Sequence, residues 1–238
     1  MRSLLFATAI LGFISCSIDS GRENERLIPV LPARELNAAF LIVDGVYNSE
    51  LIAPMDVLHH TKFHANPAIK VFTVAPDRDT ITTFEGLRIL PDYAFSDEVP
   101  QIDILIVPSA EHSMDVDLQN EELTSFVKNA AKQSSYIMSL CDGAFVLANA
   151  GLLDTYQCTT FPGDIGRFRE MFPQLTVHEG VSFVHDRKAI TSAGGAKSYD
   201  PALFLVEHLY GKEVADGIAK GLVIDWDLAS VSHVEANR

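Results

Sequence analysis

Cys141 is the residue whose type and position most directly suggest chemistry. It stands between residues 135–140, an apolar run that predicts a buried strand, and residues 142–153, which predict a helix. A residue on such a sharp strand-to-helix turn projects from the edge of a sheet, and the N–H groups and dipole at the helix start favour a thiolate. The pattern therefore predicts a nucleophilic cysteine, although an inert core cysteine is equally compatible with it.

The net charge, the number of cysteines and the motifs of the sequence exclude several classes of protein. The chain of 238 residues has a formal net charge of −14, and such an acidic surface would repel the phosphates of nucleic acid. Three cysteines are too few for a disulfide-rich scaffold, and the sequence contains no CxxC, HExxH or P-loop motif. We therefore predict no metal and no cofactor, and we expect a small-molecule substrate. Cys158 is interpreted as a core residue or, alternatively, as a resolving thiol for an oxidised Cys141.

Strands and helices alternate along the chain from Asn37 onward, which predicts an α/β fold. The expected architecture is a doubly wound, mostly parallel sheet sandwiched by helices, with the chemistry at the carboxyl ends of the strands. The strands are predicted at residues 38–43, 70–75, 102–107, 135–140, 157–160, 175–178, 182–185 and 189–191, with a hairpin at 80–90. The helices are predicted at residues 49–60, where Ser49 is the expected N-cap, and at 118–132, 142–153, 165–172, 199–209 and 213–222.

The N-terminus suggests an export signal rather than part of the fold. Arg2 precedes an apolar run at residues 4–14, which is too short to span a bilayer but typical of a signal peptide. The following residues up to Cys16 resemble a bacterial lipobox, except that Phe13 stands where Leu is usual. Cys16 would then carry lipid and anchor the protein to the cell envelope, which is its only predicted membrane contact. A plain signal peptide and a cytoplasmic protein with a misassigned start are the alternatives.

These patterns divide the chain into four segments. We predict a signal peptide at residues 1–16, a tether at 17–36, the α/β domain at 37–228 and a C-terminal tail at 229–238.

The run SLCDGAFVLANAGLLD, followed by CTTFPGDIGRF, resembles the ThiJ/PfpI superfamily, which includes the DJ-one proteins. The resemblance covers nearly all of residues 37–226. It implies a flavodoxin-like fold of the class I glutamine amidotransferase-like type, a homodimer, and a cysteine-dependent activity centred on Cys141. It also places Glu50 at the acidic position that faces this cysteine in the family.

The residues around Glu50 agree with that role. Leu51, Ile52, Ala53 and Pro54 follow it, and such an apolar setting favours the neutral form of a carboxyl group. A protonated Glu50 could donate a hydrogen bond to the thiolate and act as general acid and base. Without the resemblance, the simpler interpretation is a solvated charge in the first turn of a helix.

The departures from the family pattern limit the chemistry that can be expected. Asp142 stands where members with amidase or protease assignments have histidine, and Phe161 stands where others have histidine after the Thr-Thr pair. A Cys-His dyad therefore has no family-supported histidine. His112 lies on a neighbouring strand-end loop, where it could lean over the pocket or simply be solvated. Asp142 itself could favour the helix dipole, or oppose the thiolate and position a water.

The loop after Pro108 departs from the family as well. Ser109 and Ala110 replace the usual Gly-Gly pair, whose N–H groups offer an oxyanion hole. The N–H groups survive the replacement, but the backbone freedom of glycine does not. We expect these two residues to line the pocket.

Three hypotheses about function follow. The first is a small-molecule enzyme of the hydratase, hydrolase or glyoxalase type, with Cys141 as nucleophile and Glu50 as general acid and base; the cysteine-plus-carboxyl pattern favours hydration over amide hydrolysis. The second is a redox or stress sensor that oxidises Cys141. The third is a non-catalytic ligand-binding domain. Family members are often fused to a DNA-binding region, but residues 227–238 are too few for one, so a self-contained transcription factor is not expected.

Overall fold

The computed structural model describes residues 29–236. Its strands, in chain order, are β1 (Leu36–Leu41), β2 (Ile69–Ala75), β3 (Ile81–Thr82), β4 (Arg88–Ile89), β5 (Tyr93–Ala94), β6 (Ile104–Val107), β7 (Tyr136–Leu140), β8 (Gln157–Cys158), β9 (Thr176–Val177), β10 (Phe183–Asp186), β11 (Ala189–Ser192) and β12 (His233–Glu235). Its α-helices are α1 (Asn48–His64), α2 (Val116–Gln119), α3 (Glu121–Gln133), α4 (Gly143–Asn149), α5 (Ile165–Met171), α6 (Tyr199–Tyr210) and α7 (Lys212–Gly221).

The main sheet has eight strands in the order β12-β10-β11-β7-β6-β1-β2-β5. Every neighbouring pair is parallel except β10 with β11, so β10 and β12 run opposite to the rest. The short pair β3–β4 is antiparallel and forms the predicted hairpin. The fold class predicted from the alternation of strands and helices is confirmed.

Helices cover both faces of this sheet, because its central strands are apolar on both sides. In β6 all four residues are buried, and alternate side chains enter two different cores. Ile104 and Ile106 pack with α1, α6 and α7, whereas Leu105 and Val107 pack with α3, α4 and α5. This continuous apolar pattern is what a parallel strand between two helix layers requires.

The start of α1 differs from the sequence prediction. Its N-cap is Tyr47 rather than Ser49, and the Tyr47 side chain makes no capping hydrogen bond. The Asn48 N–H instead donates to the Glu85 carboxylate in the β3–β4 hairpin, at 3.0 Å. The Ser49 hydroxyl donates to Glu50 Oε2 at 3.1 Å. The prediction missed this because the capping acceptor comes from a distant segment, not from the local sequence.

The domain extends beyond the predicted boundaries at both ends. Leu31 packs against the core, and the Arg34 guanidinium binds the buried Asp103 carboxylate through two hydrogen bonds of 2.7 and 2.8 Å, so residues 29–36 are not a free tether. The predicted tail contains β12, which pairs with β10. Both segments lack a long apolar run and are held by contacts with remote elements.

The predicted signal and the lipidation residue Cys16 lie outside the described residues. Within residues 29–236, no helix is long and apolar enough to cross a bilayer.

Candidate active site around Cys141

Cys141 occupies a tight turn between β7 and α4. Its φ is +54°, in the left-handed region that non-glycine residues rarely adopt. Two glycines make the turn possible by allowing very close packing. A Cβ atom added at Gly194 would lie 2.3 Å from the Cys141 Cβ, and one added at Gly143 would lie 2.0 Å from the Val107 carbonyl oxygen. The backbone strain at this residue is typical of a functional turn at a sheet edge.

The Glu50 carboxyl group lies in the same region as Cys141. It is 4% exposed, and its Oε1 accepts a hydrogen bond of 2.7 Å from the Gly195 N–H. Gly195 directly follows Gly194, whose backbone packs on Cys141, so this glycine pair positions both groups. The interpretation of Glu50 as a solvated surface charge is therefore wrong, because the carboxyl group is buried and held by the backbone.

The thiol of Cys141 is protonated at rest. Burial raises its pKa, and the negative charges of Asp142 and Glu50 raise it further. The Asp142 N–H and the Ser109 hydroxyl act in the opposite direction but do not compensate. The sequence-based expectation that the helix start would yield a thiolate is thus wrong for the resting site. The chemistry needs a base that removes the thiol proton.

Asp142 is placed to be that base. It is 7% exposed, stands at the N-cap of α4, and makes no capping hydrogen bond with its side chain. Its Oδ1 accepts a hydrogen bond of 3.0 Å from the Thr160 hydroxyl, and its Oδ2 accepts from the Cys141 thiol at 3.8 Å. Burial and then the nearby Asp164 carboxylate raise the pKa of Asp142 to about 6. A carboxyl group with a pKa near neutrality can both accept and return a proton.

The predicted oxyanion hole is partly occupied by the protein itself. The Ala110 N–H donates to the Ser113 hydroxyl at 2.8 Å, and the Glu111 N–H donates to the Gly45 carbonyl oxygen at 3.0 Å. These bonds tie the loop to the connection after β1, where Val46 and Ala110 form an isolated bridge. Ser109 does line the site: it is 1% exposed, and its hydroxyl lowers the pKa of the Cys141 thiol.

His112 and Phe161 do not join the cluster. The His112 ring is half exposed and faces Asp115, with 3.4 Å between His112 Nδ1 and Asp115 Oδ1. Phe161 is 42% exposed, and its ring lies over Gly163.

Cys158 is fully buried, its sulfur contacts the Thr176 carbonyl oxygen, and burial raises its pKa to about 12, as expected for a core residue. Within residues 29–236, no group of three or more His, Cys, Asp or Glu side chains is arranged to hold a metal ion.

Tyr47 is a site residue that the sequence analysis missed. Its N–H donates to the Ser109 carbonyl oxygen at 3.1 Å, and its ring packs against Phe84 with 4.7 Å between the ring centroids. Partial burial raises the pKa of its phenol, and the charges of Cys141, Glu111, Glu50 and Asp142 raise it further. The phenol therefore lies within electrostatic range of the reacting groups. Its spacing of three residues before Glu50, about one helical turn, was the available signal.

The sequence and fold comparisons identify the family. The model of the DJ-1/PfpI family matches residues 37–208, which is most of the domain. This chain belongs to the DJ-1/PfpI family. The resemblance inferred from the residues around the strand-to-helix turn at Cys141, the nucleophile elbow, is confirmed.

Two relatives show the range of functions in the family. The chain is 29% identical to the isonitrile hydratase of Pseudomonas putida over 181 residues, which cover 76% of this chain and 75% of that protein. It is 26% identical to the HTH-type transcriptional regulator GbdR of Pseudomonas aeruginosa over 204 residues, covering 83% of this chain and 54% of the regulator. The chain thus spans about half the length of that regulator.

Solved structures agree on the fold. A ThiJ/PfpI family protein from Pseudomonas syringae superposes with a TM-score of 0.69 at 22% identity, covering 86% of this chain and 84% of that one. DJ-1beta of Drosophila melanogaster superposes with a TM-score of 0.64 at 23% identity, covering 81% of this chain and 100% of that one.

Proposed function

We propose that this protein is a cysteine-dependent hydratase that adds water to a small electrophilic carbon, with isocyanides as the substrate class. The observation that carries the proposal is that two buried carboxyl groups lie near Cys141. Asp142 accepts from the thiol at 3.8 Å, and Glu50 is held by the Gly195 N–H at 2.7 Å. The site thus contains a nucleophile and two groups that can transfer protons, without a histidine.

In the first half of the proposed reaction, the sulfur bonds to the terminal carbon of the isocyanide. The thiol proton passes through Asp142 to the same carbon, so that one S–H bond breaks and one C–S and one C–H bond form. The product is a thioimidate on Cys141. Asp142, whose pKa of about 6 lies near neutrality, accepts the proton from sulfur as the C–S bond forms and then releases it to carbon.

In the second half, water attacks the carbon of the thioimidate. Glu50 takes a proton from the water and delivers it to the nitrogen. The C–S bond then breaks as the hydroxyl proton returns to sulfur, which releases an N-substituted formamide and restores the thiol. The sum is one isocyanide and one water to one formamide, with the enzyme unchanged.

Two further observations support hydration over amide hydrolysis. The relative named isonitrile hydratase matches three quarters of this chain. Amide hydrolysis needs donors for a remote oxyanion, and the Ala110 N–H at the expected position already donates to Ser113. Attack on an isocyanide places the developing charge on the attacked carbon itself, so the site needs a proton there rather than a second hydrogen-bond donor.

The test is turnover of alkyl isocyanides, with methylglyoxal as the comparison substrate. We expect formamide from the wild type and none from Cys141→Ala, with a loss of roughly 100-fold or more for Glu50→Gln. His112→Ala serves as a matched control on the neighbouring loop and should keep full activity. Turnover of the wild type no faster than Cys141→Ala on every isocyanide tested would overturn the proposal, and turnover of methylglyoxal alone would reassign the reaction.

A ligand-sensing domain is the second candidate, favoured by the match to a transcriptional regulator and by the protonated thiol. A thiol with a raised pKa reacts slowly with iodoacetamide and with peroxide. Ligand binding without turnover, together with a Cys141 that stays unmodified at neutral pH, would support this candidate. An intact-mass gain of oxygen on Cys141 after mild peroxide would instead support a redox sensor.

A further inference from the structure

Ser109 lies beside Cys141 because of the register between two central strands. In the sheet, Val107 at the end of β6 pairs with Ser139 in β7. Ser109 lies two residues after Val107, and Cys141 lies two residues after Ser139. Both therefore reach the carboxyl edge of the sheet at the same level. The Ser109 backbone is fixed there, because its carbonyl oxygen accepts from the Tyr47 N–H at 3.1 Å.

The Ser109 hydroxyl is a buried donor without another use. Its Oγ has no hydrogen-bond partner in residues 29–236, although the residue is only 1% exposed. A buried hydroxyl without a partner destabilises the fold, so its presence beside the nucleophile points to a function. The hydroxyl lowers the pKa of the Cys141 thiol, because it is placed to favour the anionic form of the sulfur.

Two backbone donors on the same loop are engaged. Ala110 donates to Ser113, and Glu111 donates to Gly45. The Ser109 hydroxyl can therefore offer the reacting atoms a donor that these two N–H groups do not.

We propose that the Ser109 hydroxyl is a catalytic donor, which binds the charge on the Cys141 sulfur as the thiol proton leaves and again when the C–S bond breaks. It takes the place of the backbone donors that the loop uses internally. The proposal rests on the hydratase function for its effect on turnover, but its effect on the sulfur does not depend on any substrate. A single donor at the sulfur also suits substrates that place no charge on a remote oxygen, such as isocyanides.

The test compares Ser109→Ala with Ser139→Ala. Ser139 is a matched control, because it is also fully buried, also lacks a hydrogen-bond partner in the described chain, and lies in the adjacent strand. The first measurement is the rate of Cys141 alkylation by iodoacetamide from pH 6 to 9.5, assigned to Cys141 by peptide mass. We expect Ser109→Ala to react about tenfold more slowly at each pH, since a hydrogen bond to a charged group is lost. Ser139→Ala should react like the wild type.

The second measurement is turnover of the isocyanide. Ser109→Ala should lower kcat about tenfold with little change in KM, because the hydroxyl acts on the sulfur and not on bound substrate. Thermal unfolding should show that Ser109→Ala is as stable as the wild type or more stable, since the substitution removes an unpaired buried hydroxyl. A loss of activity could then not be attributed to misfolding.

The outcomes separate this proposal from the function itself. An unchanged alkylation rate in Ser109→Ala, with turnover abolished by Cys141→Ala, overturns the role of Ser109 and leaves the hydratase standing. A tenfold slower alkylation without turnover of any isocyanide supports the role of Ser109 and overturns the hydratase. Equal slowing in both serine variants also overturns the role of Ser109, because it would indicate a general effect of core substitution.

Discussion

Replacing Asp142 with asparagine should make the protein more stable and the enzyme less active. Asparagine keeps the shape of the side chain and the oxygen that accepts from Thr160, but it removes the charge. Burial and the Asp164 carboxylate raise the pKa of Asp142 from 3.8 to about 6. At 1.36 kcal/mol for each pH unit, the ionised form destabilises the fold by at most about 3 kcal/mol above pH 6.

The dependence on pH follows from the direction of this change. Between about pH 4 and pH 6 the folded protein binds a proton at Asp142 that the unfolded chain has released, so wild-type stability falls as the pH rises. Above pH 6 the full destabilisation remains. Asp142→Asn should therefore gain up to about 3 kcal/mol at pH 7.5 and about half of that at pH 5. Urea unfolding followed by circular dichroism at the two pH values measures both gains.

The reactivity of Cys141 and the rate of turnover should change in opposite directions in Asp142→Asn, which substitution of a purely structural residue would not produce. Loss of the negative charge beside Cys141 lowers the pKa of the thiol, so its alkylation at pH 7.5 should become faster. Isocyanide hydration should nevertheless become slower, by roughly 100-fold, because the group that moves the thiol proton to carbon is gone. A variant that is less stable at pH 7.5, or one that keeps wild-type turnover, would refute the assignment of Asp142 as the buried base.

Three further substitutions test other parts of the site and the fold. Gly194→Ala should destabilise the protein by about 1–3 kcal/mol in urea unfolding and lower Cys141-dependent activity. The added Cβ would lie 2.3 Å from the Cys141 Cβ, and the φ of Gly194 is +75°. Wild-type stability of the variant would show that the close contact relaxes freely. Tyr47→Phe should keep wild-type stability, since the ring still packs on Phe84. If the phenol contacts the substrate, the substitution should lower kcat/KM for isocyanides about tenfold. Unchanged kinetics would exclude that contact. Arg34→Gln should lower the melting temperature at pH 7 more than at pH 3. Hydrogen bonds outweigh the effect of burial and hold the pKa of Asp103 below its usual value, so the ion pair stabilises the fold while this carboxyl is ionised and less as it is protonated. An equal loss at both pH values would rule out the ion pair as the cause.

The fold and the elbow were predictable because their signals are local. The apolar run that forms β6 shows both of its buried faces in four residues, and the hairpin shows its turn at Gly86. The left-handed turn at Cys141 follows from a strand and a helix that leave no room for a loop. The signal for each of these features comes from residues that are neighbours in the sequence, although the turn at Cys141 also needs the distant Gly194.

The chemistry of the site was less predictable because it depends on distant residues. The role of Glu85 as the acceptor at the start of α1 and the pairing of β12 with β10 both join segments far apart in sequence. The same is true of the thiol, whose ionisation reflects burial, two carboxyl groups from different helix starts and one hydroxyl. Sequence patterns identify each group but not the sum of their effects.

The aspartate in place of histidine changes the kind of reaction that the elbow can perform. A neutral histidine beside a cysteine accepts its proton and then stabilises the thiolate as a cation, which prepares the sulfur to attack unaided. Asp142 becomes neutral, not cationic, when it accepts the same proton, so it offers the thiolate no positive charge. The negative charge of Glu50 opposes the thiolate as well, which therefore persists only while a bond to substrate forms. Such a site is poor at reacting with peroxide, because that reaction needs a standing thiolate. It suits a substrate whose carbon takes up the sulfur and the proton together, and addition to an isocyanide carbon is a reaction of that kind.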